Sequence, residues 1–160
     1  MIEYKLTAKA KELKAKGFDC TPRRASTHDA GFDLGACISK PVTLLPGQMV
    51  KIPTGVAVWL GDTLQRQTQY SMAYAGLFLP RSSCKGLRLE NTVGLLDAGY
   101  QKECFLKYRN ISDVSVTIKP AQRIAQLIII PTLIMEWSEV QDFTNQTSRG
   151  AGDGSSGDKM

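Results

Sequence analysis

The sequence predicts an all-β sandwich or barrel. Short apolar or strictly alternating runs recur along the chain, turn residues separate them, and only one stretch has a helical composition. That stretch is Ala8 to Lys16, rich in Ala and Lys, too short and too weakly amphipathic to make a core by itself. VTLL, the turn PG and QMVKIPTGVAVWL then read as a strand, a turn and a longer strand. GDTLQRQTQYSM, residues 61–72, is polar and without period, as a long hairpin tip or surface loop would be. AGLFL is a further apolar run, VSVTIK alternates from Val114 to Lys119, and PAQR leads into the apolar run IAQLIII. After Phe143 the apolar content disappears, so residues 144–160 have little to bury against the entropy of ordering them and are expected to form a flexible tail.

A chain of 160 residues with 42% hydrophobic and 22% charged residues suits one soluble domain with a proper core. The first 13 residues lack the unbroken apolar block of a signal peptide, and the run Leu127 to Met135 is interrupted by Pro131 and Thr132. The expected location is the cytoplasm, or the host cytoplasm if the source is viral. Cys20, Cys37, Cys84 and Cys104 form no CxxC pair, and His28 is the single histidine. Zinc-site spacing is therefore absent and reduced thiols are the expected state. A Ser-His or Cys-His nucleophile system is disfavoured, which leaves Asp and Glu as candidate general bases. The net charge of +5 is concentrated in residues 1–24, which hold seven Lys or Arg against three acids. Such a basic arm suits either an anionic partner or a solvated helix surface.

Four constellations could carry chemistry. In DAGFDLGAC, Asp29 and Asp33 flank Gly31 at a turn entering a strand, which fits a plain turn or a metal or phosphate site. In PRSSCKG, Arg81 offers a planar fork of donors and Ser82 and Ser83 add hydroxyls at a strand end, a cradle for phosphate oxygens or an ordinary surface turn. In NTVGLLDAGY, Asp97 precedes a glycine turn that reads as a hairpin. A carboxylate there could take a proton from water, with Tyr100 packed on a flat or sugar-like ligand, or it could bond its own turn with Tyr100 in the core. In PAQRIAQLIII, Arg123 and Gln126 are the long polar groups leading an apolar strand, their partners being backbone or a ligand.

Taken in order, DAGFDLGAC, PTGVAV, YAGLFLPRSS, GLRLENTVGLLDAGY, QRIAQLIIIP and RGAG with GSSG resemble the five-motif pattern of the trimeric deoxyuridine triphosphatases, over nearly the whole chain from Asp29 onward. The resemblance implies a jelly-roll-like β domain that forms homotrimers with active sites shared between subunits, and hydrolysis of dUTP to dUMP and pyrophosphate with Mg2+. That activity would limit uracil incorporation into DNA and supply dUMP for dTTP synthesis. It implies that Asp33 holds the metal through its water shell, that Arg81, Ser82, Ser83 and Gln126 bind phosphate oxygens, and that Asp97 positions and deprotonates the attacking water. It further implies that Asn91 and the backbone at Gly94, Leu95, Leu96 and Phe105 read the uracil edge, and that Tyr100 stacks beneath the deoxyribose. From the tail, Arg149, Ser155 and Ser156 would reach the terminal phosphate. The implied partners are dUTP and further copies of the chain, with no membrane and no direct nucleic-acid partner.

The expected organisation is a basic arm and first strand over residues 1–28, a β domain over 29–143 with an inserted loop at 61–72, and the tail over 144–160. Several positions depart from the family pattern. Gln101 is followed by Lys102 where glycine is usual, and Pro120-Ala121 stands for Pro-Gly, which disfavours a positive φ. The stretch from Arg81 to Asn91 is shorter than usual. In the tail, Asp153 stands where the family carries Gly-Phe, whose ring stacks on the base, a contact typically worth about 1–3 kcal/mol. An alternative reading is a nucleotide-sensing or protein-binding regulator with weak or no catalysis; a deoxycytidine triphosphate deaminase fits the residues around Asp97 less well.

Overall fold

The computed structural model describes residues 2–61, 71–142 and the backbone of Gln65 and Arg66. Among the described residues, eleven strands and one helix follow in the order β1 (Glu3–Leu6), α1 (Ala8–Ala15), β2 (Phe32–Gly35), β3 (Val42–Leu44), β4 (Met49–Trp59), β5 (Gln65–Arg66), β6 (Ser71–Pro80), β7 (Leu87–Leu89), β8 (Gly94–Leu96), β9 (Glu103–Asn110), β10 (Val116–Ile118) and β11 (Arg123–Ile134). One sheet has the order β1-β4-β9-β7, and a second has β2-β11-β6-β5 with β8 also pairing β6. β3 and β10 form a separate ribbon. The result is the expected jelly-roll-like all-β fold, its core drawn from both sheets and including Leu34, Ile52, Val56, Leu106, Tyr108, Ile124 and Leu127.

β9 shows why this chain makes sheets. In ECFLKYRN the residues Cys104, Leu106, Tyr108 and Asn110 are buried while their neighbours are more exposed, the period-2 pattern that places one face of a strand on a core. β4 lies between two partners: Met49 to Pro53 and Ala57 pair with β9 on one side, and Val56 to Trp59 pair with β1 on the other. The ladder with β9 shifts register between Pro53 and Ala57, where Gly55 adopts φ 73°. A Cβ on Gly55 would lie 2.6 Å from the Ala10 Cβ and 2.7 Å from the Cys37 Sγ, so only glycine admits the helix at that distance.

The helix runs from Ala8 to Ala15, capped by Thr7, whose Oγ1 accepts from the Ala10 amide at 3.2 Å. Its charged side is solvated, with Lys9 and Lys16 both paired to Glu12. The other side buries Ala10 and Leu13 against Cys20 and Cys37 in a small second core. All four cysteines are free and buried, and burial pushes the Cys37 thiol up to about 12 and the Cys104 thiol up to about 11.

Two local expectations change. Ser71 and Met72, read as loop, belong to β6 and pair with Arg66 and Gln65. Tertiary pairing with β5 and β11 supplies ladder partners that a polar sequence does not advertise. At the turn before β11, Ala121 takes φ 56°, although an alanine disfavours it. It is held there because the Gln122 amide closes on the Lys119 carbonyl at 3.1 Å, while the Ala121 amide donates to the Ala36 carbonyl at 2.9 Å. The left-handed conformation costs an L-residue about 1 kcal/mol or more, partly offset on replacement by the extra freedom of an unfolded glycine. Ala121→Gly is expected to raise stability by about 0.5 kcal/mol, read as a higher urea midpoint; a lower midpoint would contradict the strain.

Candidate active site

The first cluster is assembled by strand register. Gln126 on β11 lies directly opposite Asp33 on β2 and, on its other side, opposite Leu79 on β6. Directly opposed residues share a sheet face, and Arg81, two residues beyond Leu79 and just past the end of β6, reaches the same place. Its Nε lies 3.1 Å from Asp33 Oδ1, and its Nη1 donates to the Arg123 carbonyl at 3.2 Å. The two side chains retain 28% and 18% of their exposure, so the pair is shielded yet open to a ligand. Among the described residues Arg81 Nη2 has no acceptor, which leaves part of the fork available to an anion.

Gly31 explains how Gln126 comes so close to β2. A Cβ there would stand 3.2 Å from Gln126 Oε1 and from the Ile128 Cγ2. Asp29 and Asp33 have different tasks: Asp29 Oδ2 accepts from the Ala25 and Ser26 amides at 3.0 and 2.9 Å, closing its own loop, while Asp33 faces Arg81. Ser82 and Ser83 form an exposed turn beside Arg81, closed by the Cys84 amide on the Arg81 carbonyl at 3.0 Å. Both serines are therefore exposed and directly follow Arg81 in the chain.

Arg123 is a component whose role its sequence position did not reveal. Nη1 donates to the carbonyls of Thr21 at 2.7 Å and Asp33 at 3.3 Å, and Nη2 donates to the Asp19 carbonyl at 3.0 Å. The partners are backbone, so Arg123 straps the chain leading into β2 onto β11 and thereby holds Asp33 in place. The available signal was a long cation at the start of an apolar strand; its partners lie about a hundred residues away and only the fold supplies them.

The second cluster surrounds β8. Gly94 pairs with Phe78 and Leu96 with Gly76. A Cβ on Gly94 would meet Asn91 Nδ2 at 2.9 Å and the Phe78 ring at 3.2 Å, so Asn91 folds over a bare backbone there. Leu96 is buried and Leu95 is exposed. Asp97 is exposed, and its carbonyl accepts from the Tyr100 amide at 3.1 Å. Tyr100 is 40% exposed rather than core, its hydroxyl donating to the Glu103 carbonyl at 3.1 Å. Phe105 pairs with Pro53, with Lys51 Nζ 4.1 Å from the centre of its ring.

The expected hairpin at Asp97 is not formed. β8 pairs with β6 in one sheet and β9 with β4 and β7 in the other, so residues 97–102 carry the chain between sheets. Burial of Leu96 against Gly76, where a Cβ would be 3.0 Å from Leu96 Cβ, commits β8 to β6. This pairing also separates Asp97 from Arg81. Leu96 sits opposite Gly76, five residues from Arg81, which is roughly 17 Å along β6 at about 3.3 Å per residue. Among the described residues no hydrogen bond or ion pair joins Asp97, Asn91 or Tyr100 to Asp33, Arg81 or Gln126. A surface cleft of about 350 Å³ between β1, β4 and Gln101 contains none of the predicted site residues. Arg149, Ser155 and Ser156 lie outside the described residues.

A family profile described as dUTPase matches residues 19–157. The chain belongs to the dUTPase family. It is 37% identical over 150 residues to a deoxyuridine 5'-triphosphate nucleotidohydrolase of Paraburkholderia xenovorans, covering 92% of this chain and 95% of that protein. It is 40% identical over 145 residues to the protein of the same name from Burkholderia mallei, covering 89% and 91%. Among solved structures, the Staphylococcus bacteriophage 80alpha dUTPase with dUpNHpp superposes with a TM-score of 0.75 at 26% identity over 98% of both chains. In this dUTPase-family member, the predicted residues within the described region thus form two groups, one on β2, β11 and the turn after β6 and one around β8 and the loop after it, with Phe105 apart on β9.

For the metal that the family implies, the donor set decides how it could be held. Among the described residues no three His, Cys, Asp or Glu side chains form a cluster able to enclose a metal. Asp33 has one oxygen committed to Arg81 and one left to accept from water. A single carboxylate beside a phosphate site suits Mg2+, which keeps several waters and relies on substrate phosphates for the rest of its shell.

Proposed function

We propose that the chain hydrolyses dUTP to dUMP and pyrophosphate with Mg2+, in sites completed by other copies of itself. The observation that supports this most is the shared face of Asp33, Arg81 and Gln126, set beside two exposed serine hydroxyls. Arg81, Ser82, Ser83 and Gln126 bind the triphosphate and fix its orientation, and Asp33 holds Mg2+ through water. When bound, the metal ion neutralises charge on the phosphate oxygens. Asn91 and the backbone around Gly94, Leu95, Leu96 and Phe105 read the uracil edge, and Tyr100, half open to solvent, packs beneath the deoxyribose. Asp97 accepts a proton from the water that attacks the α-phosphorus; the bond from that phosphorus to the bridging oxygen breaks and pyrophosphate leaves. Such chemistry needs mainly positioning and charge neutralisation from the protein.

The separation of about 17 Å supports the shared site. Asp97 and Arg81 of one chain cannot serve the same phosphoryl group, since reacting groups approach within about 3–3.5 Å. Exposed apolar side chains at Leu133, Ile134, Met135, Trp137 and Val140 also suit coverage by a further copy. We take the assembly to be a trimer, as in the family resemblance.

The test is pyrophosphate release from dUTP, dCTP, dTTP and UTP, with and without Mg2+, alongside light scattering. Release is expected from dUTP alone, only with the metal, from a species of three chain masses. No release from dUTP at micromolar protein would overturn the enzymatic reading in favour of a nucleotide-binding regulator.

A further inference from the structure

Ile124 lies between Arg123 and Ala125, where the register of β11 on β2 shifts, and the ladder between β11 and β6 begins only at Ala125. It therefore sits at a bulge without a ladder partner on either side. Its carbonyl is satisfied from the core instead: the Tyr108 hydroxyl donates to it, and so does the Cys84 thiol, at 3.2 Å. Tyr108 is fully buried and Cys84 is 8% exposed. One carbonyl oxygen, with its two lone pairs, thus receives two side-chain donors.

The neighbours of that carbonyl belong to the phosphate cluster. The carbonyl of Arg123, one residue earlier, accepts from Arg81, and Arg123 itself straps the chain at Asp33. Gln126, two residues later, stands opposite Asp33. Cys84 is the residue that closes the turn carrying Ser82 and Ser83, and Tyr108 comes from β9, the strand that also holds Phe105. Two inward donors thus engage the carbonyl that lies between Arg123 and Gln126 in the chain.

We propose that Tyr108 and Cys84 are positioning residues for the phosphate cluster, acting through the Ile124 carbonyl to align Arg81, Asp33 and Gln126. This rests on the functional reading above. Burial pushes both the phenol and the thiol up, so each stays protonated and able to donate across the working pH range.

The experiment compares Tyr108→Phe with the unaltered protein by calorimetric titration of dUpNHpp and of dUMP, together with NMR of the Ile124 carbonyl carbon and the Arg81 Nε–H. Leaving a buried acceptor without its stronger donor is expected to weaken dUpNHpp by about tenfold, with dUMP changed by less than about twofold because it lacks the outer phosphates. The Arg81 Nε–H signal is expected to move with that of Ile124. Adding Cys84→Ser to Tyr108→Phe supplies a stronger hydroxyl donor from the other side and should recover most of the affinity. Equal losses for both nucleotides, or a lowered melting temperature with both affinities unchanged, would overturn the proposal. If the unaltered protein fails to bind dUpNHpp, the functional reading fails, and the NMR comparison still decides the coupling: an unmoved Arg81 signal overturns it.

Discussion

Asp97→Asn is expected to lower kcat by about 10³-fold while changing the affinity for dUpNHpp by less than about threefold. General-base assistance typically contributes about 10²–10⁴ to a rate, and an amide of the same shape cannot take the proton. The carboxylate is exposed, and the loop that carries it is anchored by backbone, through Tyr100 on the Asp97 carbonyl and the ladder from β8 to β6. The substitution is therefore expected to remove the proton acceptor and leave the fold and β8 in place. Pyrophosphate release under saturating dUTP measures the first quantity and calorimetry the second. Turnover near that of the unaltered protein would remove Asp97 from the role of base; lost binding would place it in substrate recognition instead.

Arg81→Ala is expected to have the largest effect on substrate binding, weakening dUpNHpp by about 100-fold. A hydrogen bond to a charged group is worth about 1.5–3 kcal/mol, and the free part of the Arg81 fork is the strongest donor set beside the serines. The same change leaves Asp33 without the partner at 3.1 Å that shields it, adding a bare carboxylate next to a polyanion. Arg81→Lys is not expected to rescue. A lysine amine cannot reproduce the planar fork that engages Asp33 through Nε and the Arg123 carbonyl through Nη1 while presenting further donors outward. Binding by both variants within threefold of the unaltered protein would exclude Arg81 from the phosphate site. Urea unfolding of both variants separates this from loss of structure, since the ion pair is partly solvated and contributes modestly to stability.

Much of the cluster around Arg81 was legible one residue at a time and not as an arrangement. Arg81, Ser82 and Ser83 stand together in the chain, and a strand end followed by a planar donor and two hydroxyls has an evident use. Asp33 and Gln126 are remote from one another in sequence, and only the register of β2 on β11 makes them opposite neighbours. Arg123 was visible as a long cation heading an apolar strand, yet its carbonyl partners at Asp19, Thr21 and Asp33 arise from the chain returning over β11. Asp97 illustrates the reverse error. A glycine turn after an apolar run reads as a hairpin, but the packing of Leu96 on Gly76 gives β8 to the opposite sheet.

By itself the sequence determined the sheet-rich class of this protein, the positions of most strands and the family to which its motifs belong. Those properties rest on local patterns: alternation with period two, turn residues at strand ends, and short motifs in a set order. The tertiary structure alone decided which strands are neighbours, that Ala121 adopts a conformation better suited to glycine, and that Asp97 and Arg81 stand at separate places on one chain. The physical reason is that ladder partners and core contacts are chosen by burial between distant segments, so a residue's neighbours in space are not written in its neighbours in sequence.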